Sequence, residues 1–357
     1  DISQKPLSIG RDVPGNLALV PSVEFPTLIS VANFGDYVPT NTYVGYFDSE
    51  KCYRYEYSAT ESERHFAPQS SAAAGHTCTG ALWSGNYMNW AATQTIDPFR
   101  SALTGGYRVR DTTAATWLEK AKADRNGSDS ATANFPRRTY PGSSNPTAVN
   151  AATPASWNTI RTRIDGLGNK MRFTSGSNSA ALALNNPGTG QPVAYNPATH
   201  TLDNSNITVN GLQVSQANVV FEVSVRVAVC VAGMLEANCN TTYSGVAKPE
   251  GLIQQYANSI RYSIFGYLNN GGGTEPEGGV MRARQKFVGP ASQFPESGAQ
   301  GNPNREWDPV TGILYQNPDP TDATNTNANI TNSGVINYLN KFGQMEPGRN
   351  AKSYDNV

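Results

Sequence analysis

The apolar residues of this chain are gathered in a few segments that are separated by long polar stretches. An apolar run at 16–20 predicts a buried strand. Aromatic residues alternate with other residues over 43–47 and 52–57, which predicts a pair of strands. The valine-rich segment 219–231 predicts a long central strand, and 260–267 predicts a further strand.

Helical periodicity is clearest over 85–103, where apolar residues recur every three or four positions. Asp97 and Pro98 provide an N-cap followed by proline at the first helical position, so two consecutive helices are predicted, over 85–95 and 98–103. Gly105 predicts the end of the second helix. Other predicted elements are a strand at 171–173 and helices at 113–122, 156–165, 248–256 and 334–342.

The alternation of strands and helices predicts an α/β fold with a sheet flanked by helices. Residues 124–215 are polar and rich in turn-forming residues. They are interpreted as an insertion with little capacity to build a core of its own. A single domain over 1–357 with long polar loop insertions is therefore expected.

Composition and charge narrow the classes of function. Of the 357 residues, 38% are hydrophobic and 15% are charged, both low for a cytosolic globular protein. The net charge is −1 and no run of Lys and Arg occurs, which argues against a nucleic-acid partner. The longest apolar run, 219–235, is interrupted by Glu222 and Arg226 and is too polar for a membrane span.

Four cysteines fall into two local pairs, Cys52 with Cys78 and Cys230 with Cys239. They lack Cys-x-x-Cys spacing and the chain has only three histidines, so two disulfides are predicted rather than a zinc site. Disulfides imply the periplasm or the cell exterior. Because the chain starts at Asp1 without methionine, a signal peptide is expected to have been removed.

Five segments carry a family resemblance, at 43–53, 83–91, 96–106, 251–268 and 334–343. The strings Trp-Ser-Gly-Asn-Tyr-Met-Asn-Trp-Ala and Asn-Tyr-Leu-Asn-Lys-Phe-Gly within them are the most specific. In order and approximate spacing, the segments resemble the N-terminal region of the PilY/PilC family of type IV pilus-tip proteins. The resemblance extends over nearly the whole chain.

This resemblance implies a fold, a location and a function. The expected fold is a degenerate von Willebrand factor A-like sheet, and the family's C-terminal β-propeller is expected to lie outside this chain. The expected function is that of a non-enzymatic adhesin and assembly module that promotes pilus extension, surface attachment and surface sensing. Minor pilins or the pilus tip, and a host or abiotic surface, are the implied partners. The expected location is the outer cell surface or the exterior, reached through the periplasm.

One departure from the family pattern concerns the metal site. A functional A domain binds a divalent cation through Asp-x-Ser-x-Ser, a string that occurs nowhere in this chain. No cofactor is therefore expected. The alternative is a metal-dependent ligand-binding A-type domain with an altered cation site, whose candidate ligands are Asp319, Asp322 and Thr324. These residues lie in an Asn/Thr-rich segment, where a solvated loop is the favoured interpretation.

An aromatic cluster at Trp83, Tyr87 and Trp90 has two interpretations. It is either a contact surface for a partner or glycan, or a helix start packed in the core. The core is favoured, since the neighbouring apolar residues already define an inward stripe.

An extracellular hydrolase is the third functional hypothesis. His65 and His76 flank the first cysteine loop, with Ser71 or Ser84 nearby. The chain lacks a Gly-x-Ser-x-Gly elbow and a local Cys-His-Asn signature, so structural histidines and a non-enzymatic function are favoured.

Overall fold

Strands outnumber helices in the computed structural model, which describes residues 14–22, 26–122, 133–176, 191–267, 279–294, 297–321 and 333–343. In chain order, the strands are β1 (Gly15–Leu19), β2 (Lys51–Glu56), β3 (His65–Ser71), β4 (Trp83–Ser84), β5 (Arg108–Asp111), β6 (Thr116–Glu119), β7 (Arg138–Tyr140), β8 (Ile160–Arg163), β9 (Lys170–Ser175), β10 (Val193–Ala194), β11 (Asn206–Val209), β12 (Leu212–Ser215), β13 (Phe221–Ser224), β14 (Arg226–Val229), β15 (Cys239–Asn240), β16 (Lys248–Pro249), β17 (Ile260–Tyr267), β18 (Gly279–Lys286), β19 (Ala291–Phe294) and β20 (Gly298–Gly301). The helices are α1 (Gly85–Ala92), α2 (Ile96–Thr104), α3 (Pro146–Ala152), α4 (Leu252–Gln255) and α5 (Val335–Lys341).

A six-stranded sheet is built around the aromatic strand that carries the first cysteine. Its order is β4-β2-β3-β14-β6-β5, and all neighbours are antiparallel except β3 and β14. Tyr53 and Tyr55 lie on one face of β2 and are buried, whereas Arg54 between them is exposed. The alternation in the sequence therefore predicted this strand correctly.

A five-stranded sheet comes largely from the region interpreted as a coreless insertion. Its order is β10-β13-β9-β8-β7. Phe173 of β9 faces Phe221 of β13, and both are fully buried together with Trp157 and Ile160. The expectation of little core was wrong, because a few large apolar side chains spread among polar residues converge on one face.

The predicted long strand at 219–231 is two strands in two different sheets. Val225 separates β13 in the five-stranded sheet from β14 in the six-stranded sheet. Its N–H donates to the carbonyl of Asn169 at 2.8 Å, and its carbonyl accepts from the N–H of Lys120 at 3.0 Å. The chain thus changes sheets at one residue while its backbone groups stay paired.

A three-stranded sheet of order β1-β17-β18 forms a second core with α2, α4 and α5. β1 and β17 are parallel, and β17 and β18 are antiparallel. Ile264 of β17 packs in this core with Ile96, Ile253 and Leu339 from the three helices. The remaining pairs are the hairpins β11/β12 and β19/β20 and the bridge β15/β16.

Helix α2 ends where the sequence predicts. Gly105 has a φ of +80°, and a Cβ there would overlap the carbonyl oxygen of Pro249, so only glycine fits. Helix α5 also matches its predicted position. Arg100 of α2 is fully buried and donates through Nε to the carbonyl of Leu339 at 3.2 Å, near the C-terminal end of α5.

Three other element predictions were wrong. Segment 43–47 is not a strand, and strands β6 and β8 occupy the middle of the helices predicted at 113–122 and 156–165. Thr116 and Trp117 of β6 pair with Val229 and Ala228 of β14, so sheet pairing outweighs a weak helical pattern. The fold is mixed α/β, as expected, but it is divided into several sheets with few helices.

Candidate functional site

Two disulfide-closed loops lie against each other in the structure. Cys52 of β2 is bonded to Cys78, with Cα atoms 5.7 Å apart. Cys230, directly after β14, is bonded to Cys239 of β15, with Cα atoms 5.6 Å apart. All four cysteines are used in the two local pairs that their spacing predicts.

The side chain of Lys51, which precedes the first disulfide cysteine, connects the two loops. Its Nζ donates to Glu236 Oε1 at 2.7 Å and to the carbonyl of Met234 at 2.6 Å, and it lies 3.1 Å from Asp48 Oδ2. Glu236 Oε2 accepts from the N–H of Cys230 at 2.6 Å. The Lys51 and Glu236 side chains are only 8% and 14% exposed, so each charge depends on the other for compensation.

A cavity of about 420 Å³ opens beside this ion pair, a size that suits a small ligand. The acidic residues Asp48, Glu236 and Glu250 are among those that line it. Asp48 and Glu236 are paired with Lys51, and Glu250 accepts from the hydroxyl of Tyr243 at 2.5 Å. All three carboxylates already interact with groups of the protein, so the acidic lining does not by itself form a cation site.

The aromatic cluster lies in the core. Trp83, Tyr87 and Trp90 are at most 2% exposed and pack against Tyr37 and Phe173. Burial raises the pKa of the Tyr87 hydroxyl well above its ordinary value. Side chains at this depth offer no area to a partner, so the contact-surface interpretation of these three residues is wrong.

Two buried amides on α1, which the sequence interpretation missed, explain the irregular segment 41–49. Asn86 Oδ1 accepts from the N–H of Tyr43 at 2.8 Å. Asn89 Nδ2 donates to the carbonyls of Tyr43 and Phe47 at 2.9 and 2.8 Å, and its Oδ1 accepts from the N–H of Phe47 at 3.1 Å. The segment therefore obtains its hydrogen bonds from side chains instead of a neighbouring strand. The only sequence signal was polar residues three positions apart on an otherwise apolar helix.

The candidate metal ligands are not assembled into a site. Asp319 is buried, and its Oδ2 accepts from Lys286 Nζ at 2.8 Å and from Arg284 Nη2 at 3.0 Å. Protein cations thus occupy the position that a metal ion would need. Asp322 and Thr324 lie outside the described residues.

One other group of potential ligands occurs in the described part of the chain. Sulfur atoms of Cys230 and Cys239 and an oxygen of Glu236 lie within 4.8 Å of one another. Both sulfurs belong to the disulfide and carry no thiolate, so the group does not supply the donors that a soft metal requires.

The histidines considered for hydrolysis are engaged in packing and hydrogen bonds. His65 stacks on Trp117, with ring centroids 3.8 Å apart, and burial lowers its pKa. His76 lies within hydrogen-bond distance of the Pro39 carbonyl and of Glu50 Oε1, at 2.6 and 3.0 Å. The structure gives no hydrogen bond between either imidazole and Ser71 or Ser84, the nucleophiles that the hydrolase hypothesis requires.

The chain is similar to known proteins, and one of them aligns with its whole length. A family model described as the small alpha/beta domain of the PilY1 homolog matches residues 35–180. A type IV pilus biogenesis factor PilY1 homolog of Xylella fastidiosa strain Temecula1 is 53% identical over 366 aligned residues, which cover all of this chain. The chain belongs to the PilY1 family. A second PilY1 homolog from the same strain is 39% identical over 77 residues, or 22% of this chain.

The PilY1-family chain spans only part of these relatives, namely 28% of the first and 5% of the second. The family model covers the first disulfide and α1, whereas the second disulfide and Glu236 lie outside the residues that it matches and inside the alignment with the first relative. No solved structure matches the chain. Among the described residues, none of the helices has the length and hydropathy needed to cross a membrane.

Proposed function

We propose that this chain is a non-enzymatic module of a type IV pilus biogenesis factor that acts at the pilus tip. There it promotes pilus extension, surface attachment and surface sensing, with minor pilins and a host or abiotic surface as its partners. The observation that carries the proposal is the 53% identity, over the whole chain, to a relative named as a pilus biogenesis factor. The two disulfides support an exported protein at the outer cell surface, reached through the periplasm.

The proposed contribution of this module is mechanical. The first loop contains strand β3 in the middle of the six-stranded sheet, and the second begins directly after β14 of the same sheet. Covalent closure of both loops and the Lys51–Glu236 pair between them oppose separation of these strands under force. Packed histidines and the lack of a nucleophile–base pair around them support a module without catalysis.

Deletion of residues 1–357 from the full-length protein tests the proposal. Fewer surface pili in electron micrographs and fewer adherent cells are expected, compared with the same strain carrying the intact protein. The matched control exchanges all four cysteines for serine and leaves the rest of the chain in place, which separates loss of the clamp from loss of the module. Normal piliation and attachment after the deletion would contradict the proposed role.

A metal-dependent A-type domain is the second candidate, supported by the three-stranded sheet. In a doubly wound sheet of strand order 3-2-1-4-5-6, the first strand is central and the second and third lie on one side of it. The order β18-β17-β1 corresponds to that side of such a sheet, with β1 as the first strand. An antiparallel edge strand such as β18 is common in such sheets. Calorimetric titration with Ca²⁺ and Mg²⁺ tests this candidate, and the absence of both binding heat and a shift in melting temperature would exclude it.

A further inference from the structure

Strand β1 lies at an open edge of the three-stranded sheet. Among the residues that the structure describes, its only strand neighbour is β17, with which it runs parallel. Four of its five residues are exposed, including Leu17 at 41%, and the adjoining Val20 is 74% exposed. An exposed apolar edge strand is a template for pairing with a further strand.

The backbone groups of alternate residues in β1 face this open edge. The N–H of Gly15 donates to the carbonyl of Ser259 at 2.9 Å, so every second residue from Gly15 onward directs its backbone groups toward β17. Asn16 and Ala18 face the other way, and their N–H groups donate to no residue that the structure describes. A strand lying along the edge would supply the acceptors.

The opposite edge of the same sheet is built differently. β18 carries Arg282, Arg284 and Lys286 at alternate positions, and charged side chains on an edge strand oppose pairing with another strand. β1, with the sequence Gly-Asn-Leu-Ala-Leu, contains no charged residue and no proline. A largely apolar sequence is typical of a parallel strand that is covered by neighbouring structure. β1 therefore has the composition of an interior strand, although it lies at an edge.

The second core is incomplete beside β1. Leu17 and Leu19 are the register partners of Tyr262 and Ile264, whose side chains lie in that core with α2, α4 and α5. Tyr262 and Ile264 are at most 2% exposed, in contrast to Leu17. Additional chain beside β1 would therefore cover apolar surface as well as pair the backbone, and burial of apolar surface is the main favourable contribution to association.

The strand order indicates which kind of strand fits this edge. In a doubly wound sheet, the first strand lies between the second and the fourth and runs parallel to both. β17 and β18 occupy the positions of the second and third strands, so the free side of β1 corresponds to the position of the fourth. The strands described after β18 do not fill it, since β19 and β20 pair with each other.

We propose that the free edge of β1 receives a parallel strand from the part of the full-length protein outside residues 1–357. The relative that aligns with this whole chain does so over only 28% of its own length, so it has ample further chain to supply such a strand. A segment of the same polypeptide also has a higher effective concentration at the edge than a separate partner. The pairing requires neither a bound metal nor action at the pilus tip.

Hydrogen–deuterium exchange at single-residue resolution over 14–20, in the full-length protein and in the 357-residue chain, tests the proposal. The N–H groups of Asn16 and Ala18 should exchange at least about tenfold more slowly in the full-length protein, because the added strand pairs with them. The N–H of Leu17 faces β17 and should be protected in both proteins. A general stabilisation would slow Leu17 as well, so the exchange rate of Ala18 relative to that of Leu17 is compared.

Ala18→Pro removes the N–H that faces the open edge and leaves the hydrogen bonds to β17 in place. Proline is tolerated on an edge strand when its nitrogen faces solvent, so the melting temperature of the 357-residue chain should change little. In the full-length protein, Asn16 should lose its protection. Ala18→Ser keeps the N–H and is the matched control, in which slow exchange of Asn16 should be retained.

Three results would overturn the proposal. Rapid exchange of Asn16 and Ala18 in the full-length protein would mean that the edge stays free. Protection already present in a dilute solution of the 357-residue chain would assign the strand to residues 1–357 themselves. Protection of that chain that increases with its concentration would indicate pairing between two copies.

Discussion

Lys51 donates a 2.7 Å hydrogen bond to Glu236, although the two residues are 185 positions apart in the sequence. Lys51 precedes Cys52, and Glu236 lies inside the loop that Cys230 and Cys239 close. One nearly buried ion pair therefore connects both disulfide loops. Displacement of one loop requires either breaking this pair or moving the other loop.

Replacement of Lys51 by methionine tests the importance of this connection. Lys51→Met should lower the free energy of unfolding by about 3–5 kcal/mol, because Glu236 would keep its buried charge without a partner. Urea unfolding followed by tryptophan fluorescence measures the change. The double variant Lys51→Met with Glu236→Gln should recover most of the loss, since it removes the buried charge and keeps a side-chain oxygen that can accept from the N–H of Cys230.

An exposed ion pair on the same strand provides the control. Arg54 and Glu56 form a pair whose side chains are 53% and 36% exposed. Arg54→Met should therefore cost less than about 1 kcal/mol. If Lys51→Met costs no more than Arg54→Met, the connection between the loops contributes nothing to stability.

The two disulfides should differ in their contributions. Their cysteines are 26 and 9 residues apart. In the chain-entropy model, loops of these lengths correspond to about 3.5 and about 2.6 kcal/mol, so exchange of Cys52 and Cys78 for serine should destabilise more than exchange of Cys230 and Cys239. Limited proteolysis should show new cleavage within 53–77 in the first variant. Unchanged protease resistance would argue against a clamp.

Asn89 should be more important for stability than an ordinary surface asparagine. Asn89→Ala removes hydrogen bonds to Tyr43 and Phe47 and leaves their buried backbone groups unsatisfied, which should cost about 3 kcal/mol. Thermal and urea unfolding measure the loss. The matched control is the exposed Asn206, whose replacement by alanine should be nearly neutral. Equal effects at the two sites would contradict the role assigned to Asn89.

Features that depend on neighbours in sequence were predictable. Alternation at Tyr53 and Tyr55 identified β2, the apolar repeat at 335–342 identified α5, and local spacing identified both disulfide pairs. The resemblance of short strings to the PilY/PilC family was confirmed by the comparisons. In each case the signal lies within about 30 residues, where backbone geometry limits the alternatives.

Features that depend on distant partners were not predictable. A valine run has the same pattern whether it forms one strand or changes sheets at Val225, because both sheets bury it. Asn86 and Asn89 look like surface residues until the segment they bind is known. The Lys51–Glu236 pair joins residues that are far apart in sequence, and no local pattern encodes it.

Stability should fall in mildly acidic solution because of His65. Burial lowers the pKa of its imidazole below the unfolded value of about 6.5, so the unfolded chain binds a proton more readily than the folded protein. The contribution of His65 is therefore complete above about pH 6.5 and is lost as pH falls toward the folded pKa. Urea midpoints measured between about pH 7.5 and about pH 5 should decrease over this window.

His65→Phe keeps a ring that can stack on Trp117 but removes the titrating group. The urea midpoint of this variant should therefore decrease less steeply as the pH is lowered. It should not vanish, because burial also lowers the pKa of His200, and His200→Phe should remove a second part of the slope. Glu61 does not contribute in this window. The pKa of its carboxyl group is lowered in the folded protein, so the stability that Glu61 contributes is lost only at more acidic pH. A His65→Phe profile as steep as that of the unmodified chain would show that other groups control the acid response.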